Sequence, residues 1–161
     1  MIKKFNLLFL NLLNIGKIKY APGTFASLIT CLLFLLFFNL FDIVILFFCT
    51  LIIFLYSFIA INASFKSFDS NDPQEIVIDE VVGQMLPLLS IPIYETLYPL
   101  PQLYYCVAAF VLFRIFDIWK PFPINYIDNR MEGALGIILD DILAGIYTII
   151  ILIIIFFFVG A

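Results

Sequence analysis

The stretch LDDILAGIYTIIILIIIFFFV, Leu139 to Val159, decides the fold. From Ile142 onward it is uncharged and rich in Ile and Phe, and it is close to the ~20 residues that a helix needs to cross a bilayer. Two adjacent carboxylates, Asp140 and Asp141, stand at the mouth of this run. Acids at such a boundary are expensive to keep without a partner, which makes them candidates for function.

The same signature recurs towards the N-terminus. Between Lys19 and Lys66 the single charge is Asp42, which predicts two helices, Phe25 to Leu40 and Ile43 to Ile61, joined by a tight turn around Asn39 to Asp42. The stretch from Val81 to Phe113 is also apolar, but Pro87, Pro92, Pro99 and Pro101 interrupt it and Glu95 lies near its middle. Proline removes a backbone donor and a mid-bilayer carboxylate is costly, so two short helices joined near Glu95 to Gln102 are expected. The composition agrees, with 65% hydrophobic and 12% charged residues against roughly 45–50% and 25% in soluble domains. The expected fold is therefore all-α: a multi-helix integral membrane protein with short, proline-broken helices, forming a single domain over residues 1–161 with a C-terminal span over 142–159.

Several function classes drop out. A net charge of −4 without a basic stripe argues against a nucleic-acid partner. Cys31, Cys49 and Cys106 lie in apolar runs without paired spacing, and there is no histidine, so neither a zinc site nor a disulfide frame is expected. The lack of histidine also removes a phosphohistidine route, and Cys106 and Arg114 are too far apart for a cysteine phosphatase loop. Lys3 and Lys4 before an apolar stretch resemble the start of a signal peptide, but Lys17 and Lys19 interrupt it and no cleavage site follows.

Nearly all the charge falls into three patches, Lys17 to Ser27, Asn62 to Gln84, and Arg114 to Asp141. Lys3, Lys4, Lys17 and Lys19 place the N-terminus in the cytoplasm by the positive-inside tendency, and two crossings return the second patch to the same side. A hairpin over Val81 to Phe113 then returns the third. Only an even number of crossings between the acidic patches puts them on one face.

The second patch contains DPQEIVIDEVVGQ, Asp72 to Gln84. Asp72 and Pro73 read as an N-cap and first-turn proline with Glu75 as capping-box acid, whereas Asp79 and Glu80 lie inside an apolar helix and need compensating charge. The third begins FRIFDIWKPFP, Phe113 to Pro123, with Arg114, Asp117 and Lys120 at three-residue steps. They form either surface ion pairs or a phosphate clamp around a metal-binding carboxylate. EGALGIILDDILAG, Glu132 to Gly145, brings Asp140 and Asp141, and Gly136 and Gly145 would allow close approach of neighbouring helices. In GKIKYAPGTFAS, Gly16 to Ser27, Thr24 reads as an N-cap, or with Lys17 and Lys19 as a contact to a lipid headgroup. Together Asp79, Glu80, Asp117, Asp140 and Asp141 form the candidate catalytic set. Of these Glu80, Asp117, Asp140 and Asp141 are the candidate ligands of Mg2+, and Arg114, Lys120, Arg130 and Lys17 the candidate phosphate contacts. Attack by metal-activated water fits this inventory better than an aspartyl nucleophile, because no second aspartate follows Asp117 in the manner of aspartyl-phosphate hydrolases.

The blocks KIKYAPGTFASL, DPQEIVIDEVVGQ and FRIFDIWKPFPINYIDNRMEGALGIILDDILAG, in this order between Gly16 and Tyr147, resemble the signature blocks of the phosphatidylglycerophosphatase A family. The resemblance carries over the family's charged positions onto Asp72, Asp79, Glu80, Arg114, Asp117, Lys120, Asp128, Arg130, Asp140 and Asp141. It implies a helical enzyme of the bacterial inner membrane, multi-pass and with its site facing the cytoplasm. It also implies magnesium-dependent hydrolysis of phosphatidylglycerophosphate to phosphatidylglycerol and phosphate, within phosphatidylglycerol and cardiolipin synthesis. The competing expectation is a small transporter or ion-conducting protein whose buried acids line a cation path.

Overall fold

The computed structural model describes residues 2–64, 75–131 and 133–160. All regular structure among them is helical: α1 (Ile2–Leu10), a 3-10 turn (Ile15–Lys17), α2 (Pro22–Phe38), α3 (Ile43–Ser64), α4 (Ile78–Leu89), α5 (Ile91–Leu97), α6 (Gln102–Trp119), α7 (Ile124–Arg130) and α8 (Gly133–Gly160).

Three of these, α3, α6 and α8, are long and apolar enough to cross a membrane, and α2 falls just short. With 22, 18 and 28 residues the three reach about 33, 27 and 42 Å, against a hydrocarbon layer of about 30 Å. The outward surface of α2, α3, α6 and α8 carries large apolar side chains such as Leu32, Phe48, Ile52, Val107 and Ile150, a surface suited to lipid. One threonine in each of α2, α3 and α8 bonds back to its own helix backbone: Thr30 to the Ala26 carbonyl, Thr50 to that of Leu46, and Thr148 to that of Ala144, each at 2.8 Å. Hydrocarbon offers no other partner, so these bonds let polar residues stand within the spans.

The expected turn between α2 and α3 is present. Its one acid, Asp42, accepts a hydrogen bond from the Val44 amide at 2.8 Å and so caps α3. Asn39 on this turn reaches Gln102 at the start of α6, at 3.4 Å. The α2–α3 turn and the link into α6 therefore lie at the same end of the bundle.

Helix α4 is central. It packs on α8, α2, α3 and α6, whereas α2 and α3, although consecutive, scarcely touch one another. Pro87 lies inside α4 and cannot donate to the carbonyl of Gly83, four residues earlier. That carbonyl faces Gly145 of α8, where a Cβ would come within 2.5 Å of it. At Gly83 a Cβ would meet the Asp141 carbonyl oxygen at 2.6 Å. Glycine on both sides lets the two backbones touch, as small residues do in membrane helix pairs.

The proline-rich stretch is broken over residues 98–101, within the expected joint, but it forms three helices and not two, with a further break at Ser90 and Glu95 inside α5. Several helix boundaries differ from the sequence reading. Helix α2 runs from Pro22 to Phe38, and its N-cap is Ala21, with φ of 48°, not Thr24. Pro22 starts this helix because its missing N–H needs no partner at that position, leaving Thr24 in the first turn. Helix α4 starts at Ile78, so Glu75 stands in a turn before it and is not its capping acid. The proposed cap at Asp72 and Pro73 lies outside the described residues. Helix α8 starts at Gly133, nine residues before the apolar run from Ile142, so Asp140 and Asp141 stand at the mouth of that run but well inside the helix. Of the cysteines, Cys31 and Cys106 are buried and Cys49 is exposed.

At the N-terminus, α1 packs on α3. Phe9 meets Tyr56 edge to face, and the Tyr56 hydroxyl donates to Asn6 at 2.8 Å. Leu10 joins Ala60, Ile61, Val77 and Ile138 in one buried cluster, which ties this segment to the helices that carry the acids.

Candidate active site

Opposite the α2–α3 turn, the starts of α2, α4 and α8 and the end of α6 surround a cavity of about 510 Å³. Six carboxylates line it, Asp79, Glu80, Asp117, Asp128, Asp140 and Asp141, against three cations, Lys19, Arg114 and Lys120. That imbalance is large for a site in which Asp79, Asp140 and Asp141 are all more than nine-tenths buried.

Each acid is placed by an identifiable device. Asp79 and Glu80 occupy the first turn of α4, and the Gly83–Gly145 contact draws this turn towards Asp141 on α8. One oxygen from each of Asp79, Glu80 and Asp141 falls within a group whose members are all within 4.8 Å of one another. Like charges at this separation repel unless a cation or protons intervene. Asp79 Oδ1, Glu80 Oε2, Asp140 Oδ1 and Asp141 Oδ1 are buried and have no hydrogen-bond partner. Such oxygens without partners are what a hard cation takes up, and the three-carboxylate group could hold a metal ion.

The remaining acids are paired. Asp117 forms an ion pair with Arg114 one turn earlier on α6, and the same guanidinium lies 4.0 Å from Glu80. Lys120 closes α6 in the left-handed conformation, φ 45°. The helical stripe expected from three-residue spacing therefore ends at Asp117. The cap turns Lys120 away from the helix face, and its ammonium donates to Asp128 at 2.6 Å and Asp140 at 2.7 Å. Burial alone would lower the lysine pKa, but the bonds to Asp128 and Asp140 outweigh it and hold it above 10.5.

At the entrance to α2, Gly23 lies against Glu80. A Cβ there would come within 1.8 Å of Glu80 Oε1, and 3.2 Å from Arg114 Nη1.

The structure thus brings together Asp79, Glu80, Arg114, Asp117, Lys120, Asp140 and Asp141. It does not bring Lys17 or Arg130 to the cavity wall. Lys17 ends the 3-10 turn, and Arg130 lies over the Tyr126 ring at 5.6 Å. The carboxylates grouped closely enough to hold a metal ion are not the same four as the expected ligands. Asp79 stands with Glu80 and Asp141, whereas Asp117 and Asp140 are the partners of Arg114 and Lys120. Lys19 lines the cavity in place of Lys17. Of the glycines, Gly145 makes the close helix approach expected, but Gly136 packs on the Met131 backbone in the loop before α8. Gly83 was legible only as an isolated glycine inside an apolar helix, a pattern that usually has a packing reason.

Apolar spans with a buried, acid-rich, arginine- and lysine-bearing cavity at one end define a multi-helix membrane protein equipped to handle a phosphate ester. A family model described as phosphatidylglycerophosphatase A matches residues 8–156, and the chain belongs to this family, whose members are phosphatases. Its relatives include a protein of Haemophilus influenzae named phosphatidylglycerophosphatase A, 37% identical over 84% of this chain and 79% of its own. A Bacteroides thetaiotaomicron protein, provisionally named a phosphatidylinositol-3-phosphatase, is 36% identical over 85% of this chain and 84% of its own. The phosphatidylglycerophosphatase A of Escherichia coli is 36% identical over a shorter match, 52% of this chain and 44% of that one. No solved structure gives a significant match.

Proposed function

We propose that this protein, as one domain, removes the terminal phosphate of phosphatidylglycerophosphate in a magnesium-dependent hydrolysis, at the cytoplasmic face of the bacterial inner membrane. The observation that carries the reading is the group of Asp79, Glu80 and Asp141 beside Arg114 and Lys120, in one cavity at one end of membrane-length helices. An oxygen-only ligand set suits Mg2+, which takes a few carboxylates together with phosphate oxygens and water. When bound, the ion supplies positive charge to the phosphoryl oxygens and makes a coordinated water more acidic.

The chain's residues divide the remaining work. Asp79, Glu80 and Asp141 hold the ion. Arg114 and Lys120 face the phosphoryl oxygens and offset the charge spread over them as the phosphorus–oxygen ester bond breaks. Asp117 fixes Arg114, and Asp128 with Asp140 fixes Lys120, so that neither long side chain must be ordered during turnover. Lys19, at the rim, meets the lipid headgroup. Water adds to phosphorus as the ester phosphorus–oxygen bond breaks, one water proton ends on the released glycerol oxygen, inorganic phosphate leaves, and phosphatidylglycerol remains in the bilayer as a step towards cardiolipin.

Phosphate release by the purified protein in detergent, with Mg2+ and then with chelator, tests this reading. Release from phosphatidylglycerophosphate that stops on chelation and returns with Mg2+ is expected. Asp79→Asn and Asp141→Asn should each lower turnover by about 100-fold or more while the protein still inserts and folds. Faster release from phosphatidylinositol 3-phosphate would transfer the assignment to that headgroup, and undiminished release by both variants would overturn the metal site.

A further inference from the structure

Beside the acidic cavity lies a second one, of about 470 Å³, whose lining is almost wholly apolar. It exists because α2 and α3, joined by a tight turn, lean on α4 and scarcely on each other. The slot between them is floored by buried Phe34, Leu46 and Val81 and rimmed by exposed Leu33, Ile45 and Cys49. Both hydroxyls in its wall, Thr30 and Thr50, donate to carbonyls of their own helices, so the slot offers an occupant no free hydroxyl donor. Along α2 it runs from Ile29 to Phe37, about 12 Å parallel to the helix axis.

We infer that this slot takes one acyl chain of the lipid substrate. The argument is continuity, and it rests on the proposed function. The same two helices build both cavities: α2 gives Gly23 to the acidic one and Ile29 onward to the slot, and α4 gives Glu80 to the first and its neighbour Val81, then Met85, to the second. Five residues of helix separate Glu80 from Met85, about 7.5 Å. A charged cavity and a dry slot stacked along the same helices match a phosphate headgroup and the chain attached to it. A splayed hairpin in hydrocarbon cannot stay empty, and a flexible chain fills it without bringing polar groups.

Two experiments on the full-length protein test this. Cys49→Trp fills the slot from its rim, and Phe48→Trp places the same bulk on the lipid-facing surface outside it. Kinetics with long-chain and dihexanoyl phosphatidylglycerophosphate should show the long-chain preference in kcat/KM falling about tenfold or more for Cys49→Trp, and unchanged for Phe48→Trp. An unchanged preference in Cys49→Trp overturns the inference while leaving the proposed function intact. Absence of release from any substrate by the wild type would instead sink the proposed function. The slot is then decided by alkylation of Cys49 with N-ethylmaleimide, since Cys31 and Cys106 are buried. Long-chain phosphatidylglycerol should slow the reaction several-fold relative to the dihexanoyl lipid. Equal rates, or protection that follows protein concentration and marks a contact between copies, would refute it.

Discussion

Gly23 and Lys120 carry the two residue-level predictions. A methyl at Gly23 would collide with a carboxylate oxygen of Glu80, the end of a flexible side chain. The fold should therefore accommodate Gly23→Ala while Glu80 moves. A displacement of about 1 Å at reacting groups costs on the order of 100-fold in rate, so the variant should keep its melting temperature and lose about 10- to 100-fold in kcat. A wild-type rate would mean that Glu80 is not held against α2 during turnover. Lys120 makes a different case, because partners raise its pKa in the folded state above 10.5. A raised lysine pKa gives stability that is complete below the unfolded value and lost only as pH rises through the folded one. Lys120→Met should accordingly lower the melting temperature by about 3 °C or more, and by a similar amount from about pH 6 to about pH 9. A deficit that vanished at the alkaline end of that range would count against the Asp128–Lys120–Asp140 bridge.

At the scale of elements, the contact between α4 and α8 sets the geometry of the acids. Gly83 and Gly145 allow backbone contact, and Pro87 frees the Gly83 carbonyl that faces Gly145. Gly83→Val would push the helices apart, because the atom in the way is backbone and cannot rotate aside. Overpacking of this kind costs about 1–3 kcal/mol. Gly83→Val should thus lower thermal stability in detergent and abolish phosphate release together, since Asp79 and Glu80 would withdraw from Asp141. Full activity with reduced stability would separate the packing from the site. The spans themselves were legible from apolar runs, but their ends were not. Helix α2 starts at Pro22 and not at Phe25, and α8 begins at Gly133, in sequence too mixed for hydropathy to mark.

The whole molecule depends on parity. In the proposed topology α2 and α3 go out and return, α4 and α5 together go out, α6 returns and α8 leaves again, which agrees with the acidic ends of α4, α6 and α8 meeting at one cavity. Alone, α4 has 12 residues, or about 18 Å, too short to cross, so the proposed topology requires α5 to complete that passage. In a Cys49→Ser background, cysteines at Lys17 and Asn129 should react with a membrane-impermeant maleimide from the cytoplasmic side. One at Phe41 should react only from the other. Labelling of Lys17→Cys and Asn129→Cys from opposite sides would break the parity on which the shared site rests.

Apolar runs, prolines and the clustering of acids beside bases determined the helical membrane class, the hairpins and most of the cavity's charged residues, because hydrocarbon makes length and charge legible in one dimension. Which carboxylates stand together was decided only in three dimensions. Asp79 joined Glu80 and Asp141 through a glycine contact between helices far apart in sequence. Lys120 reached Asp128 and Asp140 through a left-handed cap, while Arg130, over the Tyr126 ring, and Lys17, at the end of the 3-10 turn, stayed off the cavity wall. Spacing along one helix fixes which residues share its face. It carries no information on how closely a second helix approaches, and that distance depends on small side chains meeting across the interface.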